Sequence, residues 1–217
     1  METVVVVDLG IGNLRSVERA LAEAAVRAGL ERRVVVGGEP EVVLRADRLV
    51  VPGQGAFRDG AAALAGGLGE ALSTRIAAGA PYLGICLGLQ LLFDGSDEAP
   101  GVAGLGVLAG HNVRLADGAV DRSTGAVAKI PHMGWNRLTI TRRGAGPLSL
   151  WDDDPPYVYF VHSYHALPDE PALVAAVAVH GPHVVTAAIQ RENVTATQFH
   201  PEKSQDAGLA LLGAFLA

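Results

Sequence analysis

The 217-residue sequence is poor in cysteine, in aromatic residues and in positive charge. Its single cysteine, Cys86, excludes a disulfide within the chain, and a lone thiol is typical of a reducing compartment. Seventeen Lys and Arg residues against 23 Asp and Glu residues give a net charge of −6, which disfavours nucleic acid and anionic membrane surfaces as partners. No long uncharged apolar run and no positively charged N-terminal segment is present, so we expect neither a membrane span nor a signal peptide, and a cytoplasmic location.

Apolar residues, by contrast, are abundant enough for a substantial core. They make up 49% of the chain, and the mean hydropathy is +0.28. A chain of this length is typically one domain, which we expect to span residues 1–217.

The first hundred residues alternate between apolar strands and helical patterns. Strands are predicted at 3–9, 33–36, 49–51 and 82–85, and helices at 14–28, at 58–78 and after Cys86 as far as residue 93. This order predicts an α/β fold with a doubly wound, mostly parallel sheet and flanking helices. In such sheets, ligands bind at the carboxyl ends of the strands.

The second half predicts an added antiparallel region of shorter strands. A two-residue hairpin turn is expected at 192–193, and Ser204 is expected to cap a last apolar helix. The predicted strands are at 107–109, 127–130, 137–141, 157–161, 173–179, 184–190 and 194–199.

Cys86 stands between a predicted buried strand and a predicted helix, in residues 84–88 (Gly-Ile-Cys-Leu-Gly). A nucleophile on such a turn projects from the sheet at the N-terminus of the helix, where the dipole and a free N–H favour a thiolate and an oxyanion. A lone cysteine is more often a buried structural thiol, but the small residues on both sides favour the nucleophile.

Residues 199–202 (Phe-His-Pro-Glu) follow an apolar strand and offer a base and a carboxylate. Taken alone, His200 could be a hydrogen-bonded histidine at a strand end, and Glu202 could be a surface charge. Because His200 and Glu202 are two residues apart around a proline, both side chains can project to one side and the carboxylate can orient the imidazole. Cys86, His200 and Glu202 therefore form a candidate triad for acyl transfer.

Six segments carry a resemblance to a known family. Residues 84–90 and 198–204 resemble the nucleophile and histidine–glutamate motifs of the class I, triad-type glutamine amidotransferases. The match narrows to the glutaminase subunits of imidazole glycerol phosphate synthases through four more segments in the expected order, which are residues 8–17, 52–57, 131–136 and 159–164.

The resemblance implies a function and its residues. Glutamine would be hydrolysed by Cys86, with His200 and Glu202 as the other triad members and no cofactor. The backbone N–H groups of Leu87 and Gln54 would form an oxyanion hole, although many members carry valine at the position of Gln54. The implied glutamine-binding residues are Gly53, Gly55, Gln90, His162, Ser163 and Tyr164.

The resemblance also implies a partner, a (β/α)₈-barrel cyclase subunit in a 1:1 heterodimer that receives the ammonia. Asn13, Trp135, Tyr159 and Lys203 should lie at or near that interface. The backbone N–H of Gln54 would face away from the oxyanion site until the partner binds its ribonucleotide. His111, His180 and His183 lack ligand-like spacing with carboxylates, so no metal site is expected.

Two other interpretations remain open at this stage. The chain could be a glutaminase that serves another pathway, although residues 131–136 and the Asp-x-Gly-x-Gly-Asn-Leu segment at 8–14 argue against it. It could also be a non-catalytic interaction module on a similar fold, although the intact triad argues against that.

Overall fold

A computed structural model describes residues 1–121, 125 and 127–217, and its centre is an eight-stranded sheet. The strand order is β2-β1-β3-β4-β13-β12-β11-β8, with β1 to β4 and β13 parallel and the remaining pairs antiparallel. The strands of this sheet are β1 (Glu2–Val7), β2 (Arg32–Gly37), β3 (Arg48–Gly53), β4 (Tyr82–Cys86), β8 (Thr139–Ile140), β11 (Val174–His180), β12 (His183–Arg191) and β13 (Val194–Thr197).

Helices cover both faces of the sheet. They are α1 (Leu14–Arg27), α2 (Pro40–Leu44), α3 (Phe57–Ala63), α4 (Leu68–Ala77), α5 (Leu87–Gln90) and α6 (Gln205–Leu216). On one face, α1 and α6 pack together on alternate strand residues such as Val4 and Val6, while α2 to α5 pack against the other face. This arrangement confirms the predicted α/β class with a mostly parallel sheet and flanking helices.

Two small sheets stand beside the main one. The first joins β5 (Gly95–Ser96), β6 (Gly110–Arg114) and β10 (Tyr164–Pro168). The second is an antiparallel ribbon of β7 (His132–Arg137) and β9 (Tyr157–His162), which pairs His132 with His162 and Trp135 with Tyr159. Three 3₁₀ turns, at Gly146–Trp151, Pro171–Leu173 and Pro201–Lys203, complete these connections.

Two predicted helices were too long. The pattern at 58–78 forms two helices, because Gly66 and Gly67 between them both adopt positive φ angles of 68° and 93°. The helix after Cys86 ends at Gln90 rather than at residue 93, and the chain continues in turns. A single turn has little cumulative dipole, so the local N–H groups, rather than a long helix, act on Cys86.

Two predicted strands are also corrected. Residues 107–109 are not a strand, and the nearest strand is β6. Within 127–130, Val127 makes only an isolated bridge to Val120, and the other three residues are in neither helix nor strand. Apolar runs this short do not fix a strand without a neighbour to pair with.

The predicted hairpin at 192–193 is confirmed, since Arg191 pairs with Val194 across it. Glu192 takes the positive φ of 49° that the tight turn requires. Ser204 does precede α6, but its side chain makes no capping hydrogen bond. Its hydroxyl instead donates to the His200 carbonyl at 2.7 Å and accepts from the Tyr159 N–H at 3.0 Å.

Candidate active site

The sharp turn at Cys86 depends on the glycines around it. Cys86 ends β4 with φ 54° and ψ −103°, a conformation that non-glycine residues rarely adopt. A Cβ on Gly88 would lie 1.8 Å from the Val51 carbonyl oxygen, and one on Gly84 would lie 2.6 Å from the Gly88 oxygen. The two glycines therefore let the start of α5 press against β3 and β4, which holds the thiol at the carboxyl edge of the sheet.

His200 and Glu202 reach the same edge through β13. This strand lies directly beside β4, with Thr197 paired to Ile85, so the chain that follows it passes next to Cys86. His200 Nδ1 and Glu202 Oε1 are 2.8 Å apart, and both side chains are buried. A charged carboxylate on Nδ1 fixes the imidazole orientation and leaves Nε2 as the atom that can act in chemistry.

The electrostatics of this cluster favour a protonated histidine. Burial alone would lower the pKa of His200, but the nearby Cys86 sulfur and the Glu202 carboxylate outweigh it and raise that pKa from 6.5 to about 9. His200 Nε2 makes no hydrogen bond with any described residue, so it is the nitrogen left for proton exchange with Cys86. The site therefore places a protonated imidazole beside the single cysteine, an arrangement suited to activating a nucleophile.

A pocket of about 320 Å³ opens over the cysteine. Its volume suits a small molecule of amino-acid size. The residues that line it are Gln54, Gly55, Cys86, Leu87, Gln90, Glu98, Pro131, Val161, His162, Ser163, Tyr164 and His200.

Most of the residues predicted around the substrate lie on this pocket, and Gly53 does not. Gly53 packs behind it, where an added Cβ would come within 2.8 Å of the Leu87 Cβ. Asn13, Gly53 and Glu202 border a second, small cavity that His200 also lines. The glycine therefore spaces β3 from the residue that follows Cys86.

Sequence reasoning missed Glu98 and Gln198. Glu98 is the one acidic side chain on the pocket, and its Oε2 accepts the Phe57 N–H at 2.8 Å. Gln198 is fully buried, and its Nε2 lies 3.5 Å from Cys86 Sγ. Glu98 follows Asp94 and Asp97 in a turn-rich segment, so no pattern distinguished it. Gln198 had a signal, since a buried polar residue beside His200 needs a partner.

The residues predicted at a partner interface include an aromatic pair, the exposed Trp135 and the half-buried Tyr159. Trp135 and Tyr159 face each other across β7 and β9 with ring centres 6.1 Å apart, and Trp135 is 47% exposed. Lys203 ends the 3₁₀ turn that carries Glu202, and the Asn13 side chain accepts the Ser16 N–H at the start of α1. All four residues lie outside the pocket over Cys86.

Two further observations concern the part of the chain that the structure describes. No group of three or more His, Cys, Asp or Glu side chains there is placed to hold a metal ion. No helix there is long and apolar enough to cross a membrane.

Comparison with known sequences identifies close relatives. The sequence pattern of the family "Glutamine amidotransferase class-I" matches residues 5–216. The imidazole glycerol phosphate synthase subunit HisH of Geobacter metallireducens is 46% identical over 99% of this chain and 98% of its own length. The subunit of the same name from Methylococcus capsulatus is 45% identical over 100% of this chain and 96% of its own.

Comparison with solved structures gives the same fold at lower identity. The structure of PurLQS from Thermotoga maritima has a TM-score of 0.71 at 18% identity and covers 99% of this chain and 97% of its own. A crystal structure of a glutamine amidotransferase has a TM-score of 0.65 at 21% identity, with 94% of each chain covered. The chain therefore belongs to the class I glutamine amidotransferases, and within them to the family of the imidazole glycerol phosphate synthase subunit HisH.

Proposed function

We propose that this protein hydrolyses glutamine to glutamate and ammonia and delivers the ammonia to a cyclase subunit of histidine biosynthesis. The observation that carries the proposal is that His200, whose Nδ1 lies 2.8 Å from the buried Glu202 Oε1, lines the same pocket as Cys86, which stands on a strained turn. The relatives of about 45% identity bear the name of that synthase subunit over nearly their full length.

In the proposed mechanism, Cys86 is the nucleophile and His200 carries its proton. The thiolate attacks the side-chain carbonyl carbon of glutamine, and the backbone N–H groups of Leu87 and Gln54 stabilise the oxyanion. When the tetrahedral intermediate collapses, the C–N bond breaks and His200 Nε2 gives its proton to the leaving ammonia. Water then attacks the glutamyl thioester and gives its proton to His200, and the C–S bond breaks to release glutamate.

The pocket walls are suited to the amino-acid end of glutamine. Glu98 is the anionic group that could pair with the α-ammonium, and Ser163 and Tyr164 offer polar groups on the facing wall. Gly55, Gln90 and His162 line the remaining surface. Gly53 would act less as a contact than as the small residue that lets the Gln54 peptide turn.

The ribbon of β7 and β9 is the proposed docking surface for the cyclase. Met133, Trp135 and Tyr157 are all more than 45% exposed on it, which gives the apolar and aromatic anchors that interfaces favour. Asn13, Tyr159 and Lys203 would complete the contact. A 1:1 heterodimer with a (β/α)₈ barrel, the whole chain acting as one domain and a cytoplasmic location complete the proposal.

The test is glutamate release by the reconstituted complex with Cys86→Ala. We expect a loss of several powers of ten, because only binding and oxyanion stabilisation would remain. The same variant should still support product formation from ammonium salts, since the acceptor chemistry lies on the other subunit. More than a few per cent of wild-type glutamate release would contradict the assignment of Cys86.

The same assay separates the alternatives. A glutaminase of another pathway would stay inactive with the cyclase and its ribonucleotide but would co-purify with a different synthase. A non-catalytic module would leave Cys86 unlabelled by a glutamine-like electrophile even in the complex.

A further inference from the structure

Asn136 and two histidines of the β7–β9 ribbon form a hydrogen-bonded chain that ends at the wall of the pocket. His132 Nδ1 lies 2.9 Å from His162 Nε2, and the Asn136 Nδ2 lies 3.1 Å from His132 Nε2. His132 is clamped between two rings, with centres 4.6 Å from Phe160 and 4.3 Å from His180 and interplanar angles of 21° and 23°. The position of the His132 ring is therefore fixed by stacking as well as by hydrogen bonds.

The tautomers of His162 and His132 follow from one carbonyl group, that of Tyr164. His162 Nδ1 is 2.9 Å from the Tyr164 carbonyl oxygen, which can only accept, so Nδ1 carries the hydrogen. Burial lowers the pKa of His162 to about 3 and that of His132 to about 4, so both rings are neutral at pH 7. The bare Nε2 of His162 then accepts from His132 Nδ1–H. The bare Nε2 of His132 in turn accepts from the Asn136 amide.

The Tyr164 carbonyl also fixes Gln90 and, through it, Gln198. Gln90 Nε2 lies 3.1 Å from that carbonyl, so the nitrogen of the amide, and not its oxygen, faces Tyr164. Its second hydrogen is directed at Gln198 Oε1, 3.2 Å away, which turns Gln198 Nε2 towards Cys86 Sγ. Both Nε2 hydrogens of Gln90 are thus donated within the protein. The Oε1 of Gln90 is then the side-chain atom that can accept a hydrogen bond from a ligand in the pocket.

We propose that Asn136, His132 and His162 are positioning residues for glutamine hydrolysis. Their hydrogen bonds all run in one direction and hold the Tyr164 carbonyl so that Gln90 presents an acceptor. Glutamine carries N–H donors at its amide and its ammonium, whereas the side chain of the product glutamate has none. The inference rests on the proposed function and adds to it a chain of contacts that begins at Asn136, on the inner face of the β7–β9 ribbon.

The first test reads the tautomers directly. In ¹⁵N-histidine-labelled protein, long-range ¹H–¹⁵N correlation at pH 7 should show His132 and His162 neutral with hydrogen on Nδ1, the minor form of a free imidazole. Hydrogen on Nε2 of either ring, or an imidazolium, would overturn the proposal. This measurement needs no activity.

The second test reverses the link from Asn136 to His132 without changing the size of the side chain, and it also removes the 2.8 Å bond from Asn136 Nδ2 to the Val179 carbonyl. Asn136→Asp replaces the donor by an acceptor, so His132 Nε2 must take a proton and the link to His162 is lost or charged. His132→Phe keeps a ring in the stack and removes both hydrogen bonds. In the complex, each should raise the glutamine KM about fivefold or more, the equivalent of one buried hydrogen bond, with a smaller change in kcat.

The control is His180→Phe, which preserves stacking on His132 but removes only the bond from His180 to the Lys129 carbonyl. Its KM should stay within twofold of wild type. If Asn136→Asp and His132→Phe also stayed within twofold in a wild-type complex that hydrolyses glutamine, the positioning role would be wrong while the glutaminase assignment stood. If the wild-type complex released no glutamate, the proposed function itself would fail.

Discussion

Two regions of the chain contribute differently to the site. Residues before Gln90 form an apolar scaffold of parallel strands and their helices, and residues from Gln90 onwards supply the polar side chains around Cys86, which we call the polar wall. Apart from the Tyr82 hydroxyl and the Cys86 thiol, every buried polar side chain among the described residues lies at Gln90 or later. All seven histidines also lie in the second half of the sequence. The parallel half thus fixes the position of one sulfur, and the antiparallel half supplies the groups that set its charge and neighbours.

The difference follows from how the strands are covered. Strands β1, β3 and β4 have helices on both faces, so both sets of alternating side chains are buried and apolar. The β7–β9 ribbon has one face towards solvent and one packed on the core around Val158 and Phe160. Its buried positions, such as His132 and His162, can be polar because they pair with each other across the strands.

The largest loss of stability is expected for Gly88→Ala, at the contact between α5 and β3. The new methyl would meet the Val51 carbonyl oxygen at 1.8 Å, and backbone on both sides would have to move. We expect more than about 4 kcal/mol of lost stability or no folded protein, measured by urea unfolding. Gly101→Ala is the control, because it has a positive φ of 78° but open space, and it should cost only about 1–2 kcal/mol. Equal losses would mean that β3 and α5 are not tightly packed.

The next largest effect is expected on kcat in two variants of the polar wall, His200→Ala and Glu202→Gln, measured in the same complex. His200→Ala should lower kcat by about 10³-fold or more, because the proton carrier is lost. Glu202→Gln should cost less, since glutamate only orients the imidazole and stabilises its charge. Circular dichroism should show both variants folded. A larger loss for Glu202→Gln would contradict the assigned roles.

Acid should lower the free energy of unfolding through His132. The folded pKa of His132, about 4, lies below its unfolded value of 6.5, so its contribution to stability is present above pH 6.5 and is lost as pH falls towards 4. Between pH 7 and pH 5 this amounts to about 2 kcal/mol. Urea unfolding of His132→Phe at both pH values should show an acid loss smaller by that amount. An unchanged acid loss would show that His132 titrates normally.

The smallest effect is expected at Ser204, which connects β9 to the triad segment. Ser204→Ala would leave the Tyr159 N–H and the His200 carbonyl without their shared hydroxyl, at a cost of about 1–2 kcal/mol. Ser73→Ala on the half-buried face of α4 is the control and should be neutral or slightly stabilising. Thermal unfolding of both variants measures the difference. A neutral Ser204→Ala would mean that the two backbone groups find other partners.

The sequence was most informative where a pattern is local. Residues 84–88 predicted the turn at Cys86, and the two-residue loop at 192–193 predicted a hairpin that the structure confirms. Class and sheet type were also predictable from the alternation of strands and helices. The over-long helices at 58–78 and after Cys86 show that apolar periodicity alone does not locate a break.

What the sequence could not provide is contact between distant segments. Glu98 reaches the pocket because α5 is short and the chain turns back along β5. Gln198 reaches Cys86 because β13 inserts beside β4. His132 and His162 are 30 residues apart and meet only through the register of β7 and β9. Each depends on pairing that no local pattern encodes.

The position of β13 has a consequence for how the protein is made. Strand β4 lies between β3 and β13, and β13 begins at Val194, so a chain still being synthesised holds β4 as an unpaired sheet edge until nearly all residues have emerged. During that interval Cys86 is present without the proposed base, His200. A product truncated before Val194 would therefore contain Cys86 but neither β13 nor the proposed base His200 and its partner Glu202.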